Sequence, residues 1–214
     1  QRKNAADRRI GRGKHPGGHP AGHHGEPDGG GSLPGPHPKK RPGNRHGTPF
    51  GHRLDHDCGL DDTRRTLADS IANRASDLTE ILRAIHAHPE TAYRERFASS
   101  TLVEAVRTAH PNLTVTHPAF GIDTAFGIEL TSADYDPEKH RTIAILSEYD
   151  ALPGIGHGCG HNVIATAGLG AFLALADALA ATPDAFSGRV LYYGTPAEES
   201  EAGKELMARA GAFD

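Results

Sequence analysis

Apolar residues first recur three and four positions apart between residues 66 and 85. This spacing predicts an amphipathic helix with one face turned towards a core. The helix is predicted to end within residues 86–89, because the residue before Pro89 is pushed out of helical geometry. A second helix of the same kind is predicted over about residues 94–109, and Pro111 stops it.

The pattern then changes to runs that are typical of strands. Strands are predicted over residues 113–116, 124–130, 142–146 and 189–193. The run 142–146 is apolar throughout, which favours a strand covered on both faces. A long apolar helix is predicted over about residues 162–181, capped by Asn162, and a last helix over residues 201–210. This order of strands and helices predicts an α/β layer fold with at least two parallel strands.

Composition divides the chain at about residue 60. Residues 1–60 hold eight of the 15 histidines and 11 Lys and Arg against five Asp and Glu, whereas the remainder holds 12 against 22. A segment so rich in polar residues, Gly and Pro cannot bury enough apolar surface to offset its ordering entropy. Residues 1–60 are therefore predicted to be a disordered tail, and residues 61–214 a folded domain. We interpret the tail as an unstructured extension, and a basic arm for metal or nucleic acid is the alternative.

The two cysteines, Cys58 and Cys159, lie far apart in the sequence. This argues against a structural disulfide and favours a reducing, cytoplasmic compartment. The N-terminus lacks the apolar segment that is typical of a signal peptide. Residues 163–181 are long enough to raise the question of a membrane span, but Asp177 and the many Ala and Gly residues favour a buried helix. Neither a membrane nor a nucleic acid is therefore predicted as a partner.

Residues that can bind a metal are concentrated after two of the predicted strands. Residues 148–162 form the segment EYDALPGIGHGCGHN, with two carboxylates, a thiol and two imidazoles. Cys159 and His161 stand two positions apart, so both side chains can point towards one ion. Zinc accepts thiolate and imidazole ligands, and carboxylates add oxygen ligands. A surface turn with a chance cysteine and two histidines, or a cysteine that is simply buried, is the alternative for this segment taken alone.

A second acidic pair, Glu198 and Glu199, follows the strand predicted over residues 189–193. Ligands gather outside the carboxyl ends of parallel strands, so we expect this pair and Asp150 at one edge of the sheet. Adjacent carboxylates that face one pocket repel each other, and a cation relieves that repulsion. One of them can then bind the ion while the other takes a proton from metal-bound water. A solvated run of charges is the alternative.

These segments resemble a known family. EYDALPGIGHGCGHN, followed by GTPAEES and GKELMARAGAFD, is similar to the aminoacylase/carboxypeptidase family of co-catalytic metallopeptidases, peptidase family M20. The similarity is greatest to its amidohydrolase branch, which includes aminobenzoyl-glutamate hydrolase and the β-alanyl-lysine type of dipeptidase. HAHPETAY, residues 86–93, resembles the family's PELGYEE region less closely, because Thr91 and Arg94 depart from it. The resemblance covers about residues 66–214 and implies part of a zinc-exopeptidase-like three-layer sandwich with a mostly parallel sheet.

The resemblance also implies site residues. They are, as metal ligands, Cys159, His161 and Glu199, and, as catalytic residues, Glu198 and Asp150. Glu198 matches the general base, Asp150 matches the acid that steadies a metal-bound imidazole, and His157 matches a motif position without an assigned role. The implied cofactor is a divalent metal, zinc first and manganese as the alternative, with two ions in a full-length relative. The implied reaction is hydrolysis of an amide bond in a small molecule, an N-acyl amino acid or a dipeptide.

Family members continue to further histidine ligands and an inserted dimerisation domain, which this sequence lacks. The chain is therefore interpreted as roughly the first half of a catalytic domain, and we expect it to be inactive by itself. Full-length relatives are expected to be homodimers. A non-catalytic metal-binding chain and a truncated chain that never folds stably are the alternatives.

Overall fold

The computed structural model describes residues 55–200 and 202–214, with side chains from Leu60 onward. They belong to the unit Pro49–Asp214. Most of the predicted disordered tail lies outside the described residues. The helices are α1 (Asp55–Asn73), α2 (Ala75–Ala87), α3 (Arg96–Ala109), α4 (His161–Ala181) and α5 (Gly203–Arg209). The strands are β1 (Val115–Thr116), β2 (Phe126–Thr131), β3 (Thr142–Ser147) and β4 (Arg189–Gly194).

The single helix predicted over residues 66–85 is wrong in its bounds. The helical region begins earlier, at Asp55, and it is interrupted at Arg74, which separates α1 from α2. The Arg74 guanidinium donates hydrogen bonds of 2.8–3.1 Å to both carboxylate oxygens of Asp177 on α4. The break lets α1 and α2 each lie against α4. Spacing alone could not indicate it, because the apolar positions keep their helical period through residue 74.

The sheet has the strand order β1-β2-β4-β3 in the part of the chain that the structure describes. β3 and β4 are parallel, whereas β1–β2 and β2–β4 are antiparallel. The prediction of a mostly parallel sheet is therefore wrong for these strands, and at least two parallel strands are confirmed. The physical reason lies in the connections. The α4 crossover joins β3 to a parallel neighbour, while β1 and β2 are joined by a connection that needs no crossover.

Helices cover both faces of this sheet, so the predicted α/β layers are confirmed. On one face, Phe172 and Leu169 of α4 pack against Val190 and Tyr192 of β4 in a core that α2 and α3 complete. On the other face, a smaller cluster joins Tyr193 to Met207 of α5 and to Ile122, Ala125 and Ala212. Alternate residues of β4 thus face opposite layers, as the period of a strand requires.

Strand β3 was predicted to be covered on both faces, and this is wrong for its first half. Thr142, Ile143 and Ala144 are exposed, with Ile143 54% accessible. The strand stands at the edge of the described sheet, beside β4 alone. A short apolar run is compatible with either position, so the sequence could not distinguish them. The second half, which ends in the buried Ser147, leads into the candidate site.

By length and composition, α4 could cross a membrane. More than half of it is buried inside the fold, against the sheet and against α1, α2 and α3. Its Asp177 is paired with Arg74 and His110 rather than facing lipid. In this structure α4 is a core helix, as its composition predicted.

Candidate metal centre

The loop between β3 and α4 is folded back on itself by short-range hydrogen bonds. Leu152 and Gly156 exchange two backbone bonds of 3.0 Å, which closes a turn. The chain then enters α4 at Gly160, whose φ of 87° lies in the left-handed region that glycine adopts without strain. His161 is therefore the first residue of α4. Asn162, predicted as the helix cap, lies instead in the first turn and donates to the Leu82 carbonyl.

His161 is oriented by the buried Asp150. The ring Nδ1 lies 2.9 Å from Asp150 Oδ1 and 3.0 Å from the Asp150 carbonyl oxygen. Because both partners accept hydrogen bonds, Nδ1 carries a proton, and Nε2 is the ring nitrogen that remains for a metal. The Asp150 side chain is fully buried and that of His161 is 6% exposed. This carboxylate–imidazole arrangement is common where histidine binds a metal.

Three carboxylates surround the Nε2 atom that Asp150 leaves free. Oxygen atoms of Glu148, Glu198 and Glu199 lie 3.4, 3.6 and 3.7 Å from it, respectively. Two ligands of a tetrahedral ion at metal–ligand distances of about 2.0 Å are themselves about 3.3 Å apart. The distances from the three carboxylate oxygens to His161 Nε2 are therefore close to the distance expected between two ligands of one divalent ion.

The candidate ligands form two groups that share His161. Cys159, His161 and Glu199 make one group, and Glu148, His161 and Glu198 make the other. Within each group the ligand atoms all lie within 4.8 Å of one another. Since Nδ1 is occupied by Asp150, the single free nitrogen of His161 can serve one ion at a time. The residues present thus fit a divalent metal, with a sulfur-containing donor set on one side and an oxygen-rich one on the other.

The chain after β4 is attached to the last residue of β3 and to the loop that follows β3. The Thr195 backbone N–H donates to the Ser147 carbonyl at 2.8 Å, which extends the parallel pairing of β3 and β4. The Glu199 N–H donates to Asp150 Oδ2 at 2.9 Å. Asp150 therefore binds His161 with one carboxylate oxygen and the second loop with the other. Both loops follow the carboxyl ends of parallel strands, where ligands bind in sheets of this kind.

The site carries more negative than positive charge. Four carboxylates, those of Glu148, Asp150, Glu198 and Glu199, meet at His161. Among the described residues, the one Lys or Arg within ion-pair distance of them is Lys204, whose Nζ lies 2.5 Å from Glu148 Oε1. Carboxylates held so close repel one another unless a cation or proton intervenes. Such a surplus of acid favours the binding of a cation.

Cys159 is exposed and unpaired, and its thiol faces Glu199. Partial burial raises the pKa of the Cys159 thiol, and a hydrogen bond to the Glu199 carboxylate raises this pKa further. The metal-free form is therefore a thiol that donates to a carboxylate. Binding a metal would release that proton, because the thiolate is the ligand.

His157 lies in the same loop and is 8% exposed. Neither ring nitrogen has a hydrogen-bond partner among the described residues. Burial lowers the pKa of His157, and the neighbouring His86 and His161 lower it further. The ring is therefore neutral near pH 7.

Glu148 belongs to the first predicted segment but was not predicted as a site residue. Its position directly after β3, two residues before Asp150, was the signal that could have found it. Lys204 was not predicted as a site residue, and its contact with Glu148 spans 56 positions of sequence. The Glu95 carboxylate, 102 positions before Ala197, contacts the second loop and had no local signal.

The chain is similar in sequence to curated hydrolases. No family model matches the chain. It is 38% identical over 153 residues to Xaa-Arg dipeptidase of Mus musculus, a match that covers 71% of this chain and 36% of the relative. It is 34% identical over 167 residues to one of the subunits of p-aminobenzoyl-glutamate hydrolase of Escherichia coli K12, covering 70% and 33%. The chain thus spans about a third of the length of these curated relatives.

Solved structures share the fold at lower identity. The YxeP protein of Bacillus subtilis, described as a dinuclear metal binding peptidase from the M20 family, superposes with a TM-score of 0.54 at 21% identity. That match covers 65% of this chain and 40% of the other. An aminobenzoyl-glutamate utilization protein from Klebsiella pneumoniae gives a TM-score of 0.52 at 18% identity, covering 68% and 43%. At these identities the likeness is one of fold.

Proposed function

Because this chain belongs to the M20 family of metallopeptidases and amidohydrolases, we propose that it forms part of the catalytic domain of a metal-dependent amidohydrolase. The main support for this proposal is that two loops at strand ends meet at His161 Nε2, with three carboxylates 3.4–3.7 Å from this atom. A structural role would not need three carboxylates beside one imidazole nitrogen. A hydrolytic metal centre needs both.

Cys159, His161 and Glu199 are the proposed ligands of one divalent ion, and Glu148 with Glu198 lines a second position beside it. The thiolate favours zinc, and the oxygen-rich surroundings make manganese the alternative. A bound ion would polarise the substrate carbonyl and acidify water. Asp150 holds the His161 proton on Nδ1, so that Nε2 stays available as a ligand.

Glu198 is the proposed general base. Its side chain is 39% exposed, against 21% for Glu199, so it can reach both solvent and a bound substrate. In this role Glu198 takes a proton from the attacking water and passes it to the leaving amine. Glu199, whose backbone is bonded to Asp150, is the more firmly placed of the two and suits the ligand role.

The proposed substrate is an amide that joins an acyl group to an amino acid. The relatives are named for Xaa-Arg dipeptides, p-aminobenzoyl-glutamate and N-acetyldiaminopimelate. Each of these compounds contains such an amide, although the acyl groups and amino acids differ. The shared chemistry supports the reaction class and leaves the individual substrate to experiment. The cytoplasmic location and a homodimer of full-length relatives stay predictions.

The test is made on the protein translated from the complete reading frame that contains residues 1–214. After metal removal, it is reloaded with zinc or manganese and incubated with an Xaa-Arg dipeptide, p-aminobenzoyl-glutamate and N-acetyldiaminopimelate. We expect metal-dependent release of the amino acid from at least one of them, lost in Glu198→Gln and kept in Glu104→Gln. No release from any of them by metal-loaded protein would contradict the proposal. The 214-residue chain, assayed in parallel, is predicted to be inactive.

Metal binding without catalysis is the alternative, and the same acidic cluster would support it. Zinc titration of the chain and of Cys159→Ala separates the binding sites. Weaker binding in the variant places the ion at the two loops. Binding that is unaffected by the substitution places it elsewhere, with the histidine-rich residues 1–60 as the first candidate.

A further inference from the structure

Glu95 is a fully buried carboxylate outside the proposed ligand set. Its side chain has no exposed surface, and no ion pair in the described part of the chain includes it. Burial raises the pKa of Glu95, although hydrogen bonds to its carboxylate oppose that shift. A charge-bearing group held so deep is costly unless its hydrogen bonds are made. The Glu95 carboxylate therefore needs hydrogen-bond donors at this position.

Three donors from separate segments satisfy the Glu95 carboxylate. Oε1 accepts the backbone N–H groups of Tyr93 at 3.0 Å and Ala197 at 2.9 Å. Oε2 accepts the Thr124 hydroxyl at 2.9 Å. Glu95 stands at the start of α3, whereas Ala197 belongs to the loop after β4. The side chain thus ties the first part of the fold to the loop that carries Glu198 and Glu199.

Ala197 is a position where the backbone needs such support. Its φ of 60° lies in the left-handed region, where a residue with a side chain is strained. The residue is fully buried, so its N–H would have no solvent partner if Glu95 were absent. Its carbonyl accepts a bond from the Gly203 N–H at 3.1 Å, which anchors the far end of the loop. Glu198 follows directly in sequence.

The segment before α3 also contacts the other loop of the site. The Glu90 carbonyl accepts the Ala151 N–H at 2.7 Å, one residue after Asp150. The Glu90 carboxylate accepts the N–H groups of Phe97 and Ala98 at 3.1 Å, which fixes it to the first turn of α3. Residues 90–95 therefore bind one site loop through a backbone bond and the other through the Glu95 side chain.

We propose that Glu95 is a positioning residue, whose buried carboxylate holds Ala197 in its left-handed conformation and so aims Glu198 and Glu199 at His161. The inference rests on the proposed function, because it gives the loop the task of presenting a metal ligand. Glu95 itself touches neither ligand side chain and acts through the backbone of Ala197.

Two substitutions distinguish positioning from bulk stability. Glu95→Gln keeps Oε1 as acceptor for both N–H groups, and its amide can donate to the Thr124 oxygen. Glu95→Ala leaves three buried donors without partners. Glu104→Ala, on the exposed face of the same helix, is the matched control. Glu95→Asp withdraws the carboxylate by one methylene and gives the same reading if the alanine variant does not fold.

The experiment measures backbone amide hydrogen exchange by NMR in the metal-free chain, and zinc affinity by competition with a chelator. In Glu95→Ala we expect the Ala197 amide to exchange at least about tenfold faster relative to interior amides of α4, with zinc affinity about 10–100-fold weaker. Glu95→Gln and Glu104→Ala should stay close to the parent chain in both measurements.

Equal acceleration of the Ala197 amide and the α4 amides would overturn the proposal, because Glu95 would then support the whole fold. Unchanged zinc affinity despite a released Ala197 amide would overturn it too. A parent chain that binds no zinc would refute the proposed metal centre. The exchange comparison would then still decide whether Glu95 holds the loop.

Discussion

Two regions of this molecule bring carboxylate and imidazole together, and they differ in how the negative charge is balanced. In the helix layer, Asp177 accepts hydrogen bonds from Ser70, from Nε and Nη2 of Arg74, and from His110 at 2.6–3.1 Å. One carboxylate there meets one permanent cation. At the strand ends, four carboxylates meet around His161, and Lys204 contacts one of them.

The difference separates a structural cluster from a binding one. The Asp177 network satisfies its own charge, and its groups join α1, α3 and α4 across the helix layer. The possible ligand atoms of the His161 cluster already lie close together, but its negative charge exceeds its positive charge. A divalent cation would reduce that excess. Substitutions of like residues in the two regions should therefore change different properties of the protein.

The largest effect is expected from exchanging one histidine in each region. His161→Ala should weaken zinc binding by about a hundredfold or more, because the ligand itself is removed rather than a group behind it. His110→Ala should leave zinc affinity unchanged and lower the thermal stability. Chelator competition and thermal melts measure both. Equal zinc affinities in the two variants would contradict the assignment of zinc binding to the His161 cluster alone.

A smaller loss of zinc affinity is expected from Asp150→Asn. The amide can no longer accept from both His161 Nδ1 and the Glu199 N–H through two charged oxygens, so both ligands lose their orientation. We expect affinity to fall about 10–100-fold. Asp177→Asn is the matched control and should bind zinc like the parent chain. An Asp150→Asn variant with parental affinity would remove Asp150 from its proposed role.

Asp177→Asn, the control for zinc affinity, should instead change the stability of the protein. Asp177→Asn should lower the free energy of unfolding by about 1–2 kcal/mol, the lower part of the range for charged hydrogen bonds, because the side chains of Asp177 and Arg74 keep 28% and 26% of their surface exposed. Urea denaturation of the metal-free chain measures it. A variant as stable as the parent would show that the network contributes nothing net.

The pH dependence of stability gives the smallest but most specific difference. Burial would raise the pKa of Asp177, but the hydrogen bonds from Ser70, Arg74 and His110 outweigh it and lower that pKa below its ordinary value of 3.8. A lowered pKa contributes stability above the ordinary value, and the contribution is lost as pH falls through the folded-state pKa. The stability difference between the parent and Asp177→Asn should therefore shrink below about pH 4. A constant difference down to pH 2 would contradict this.

Much of the fold could be predicted from the sequence, because α3, β2, β3, α4 and β4 each depend on a local pattern and lie within two residues of their predicted bounds. The break at Arg74 could not, since the contact that Arg74 makes there is with Asp177, on a helix 103 positions later. Strand direction and the exposed edge of β3 likewise depend on which strands become neighbours. An apolar run does not carry that information.

The candidate site divides in the same way. The segment around Cys159 and His161 is closed by its own turns and could be identified by its composition. The second loop depends on contacts from a distance, through Asp150 and Glu95. The side-by-side placement of the loops was predicted from the parallel strands β3 and β4. The buried carboxylate behind Ala197 has no counterpart in any local pattern.

The most direct test of the metal centre is the zinc K-edge X-ray absorption spectrum of the chain carrying Cys58→Ser and one equivalent of zinc. Cys159 is then the one cysteine in the chain. We predict one sulfur at about 2.3 Å, with nitrogen and oxygen ligands at about 2.0–2.2 Å. The sulfur should disappear when Cys159→Ser is added. A shell of nitrogen and oxygen alone, unchanged by Cys159→Ser, would show that the ion is held elsewhere and contradict the account.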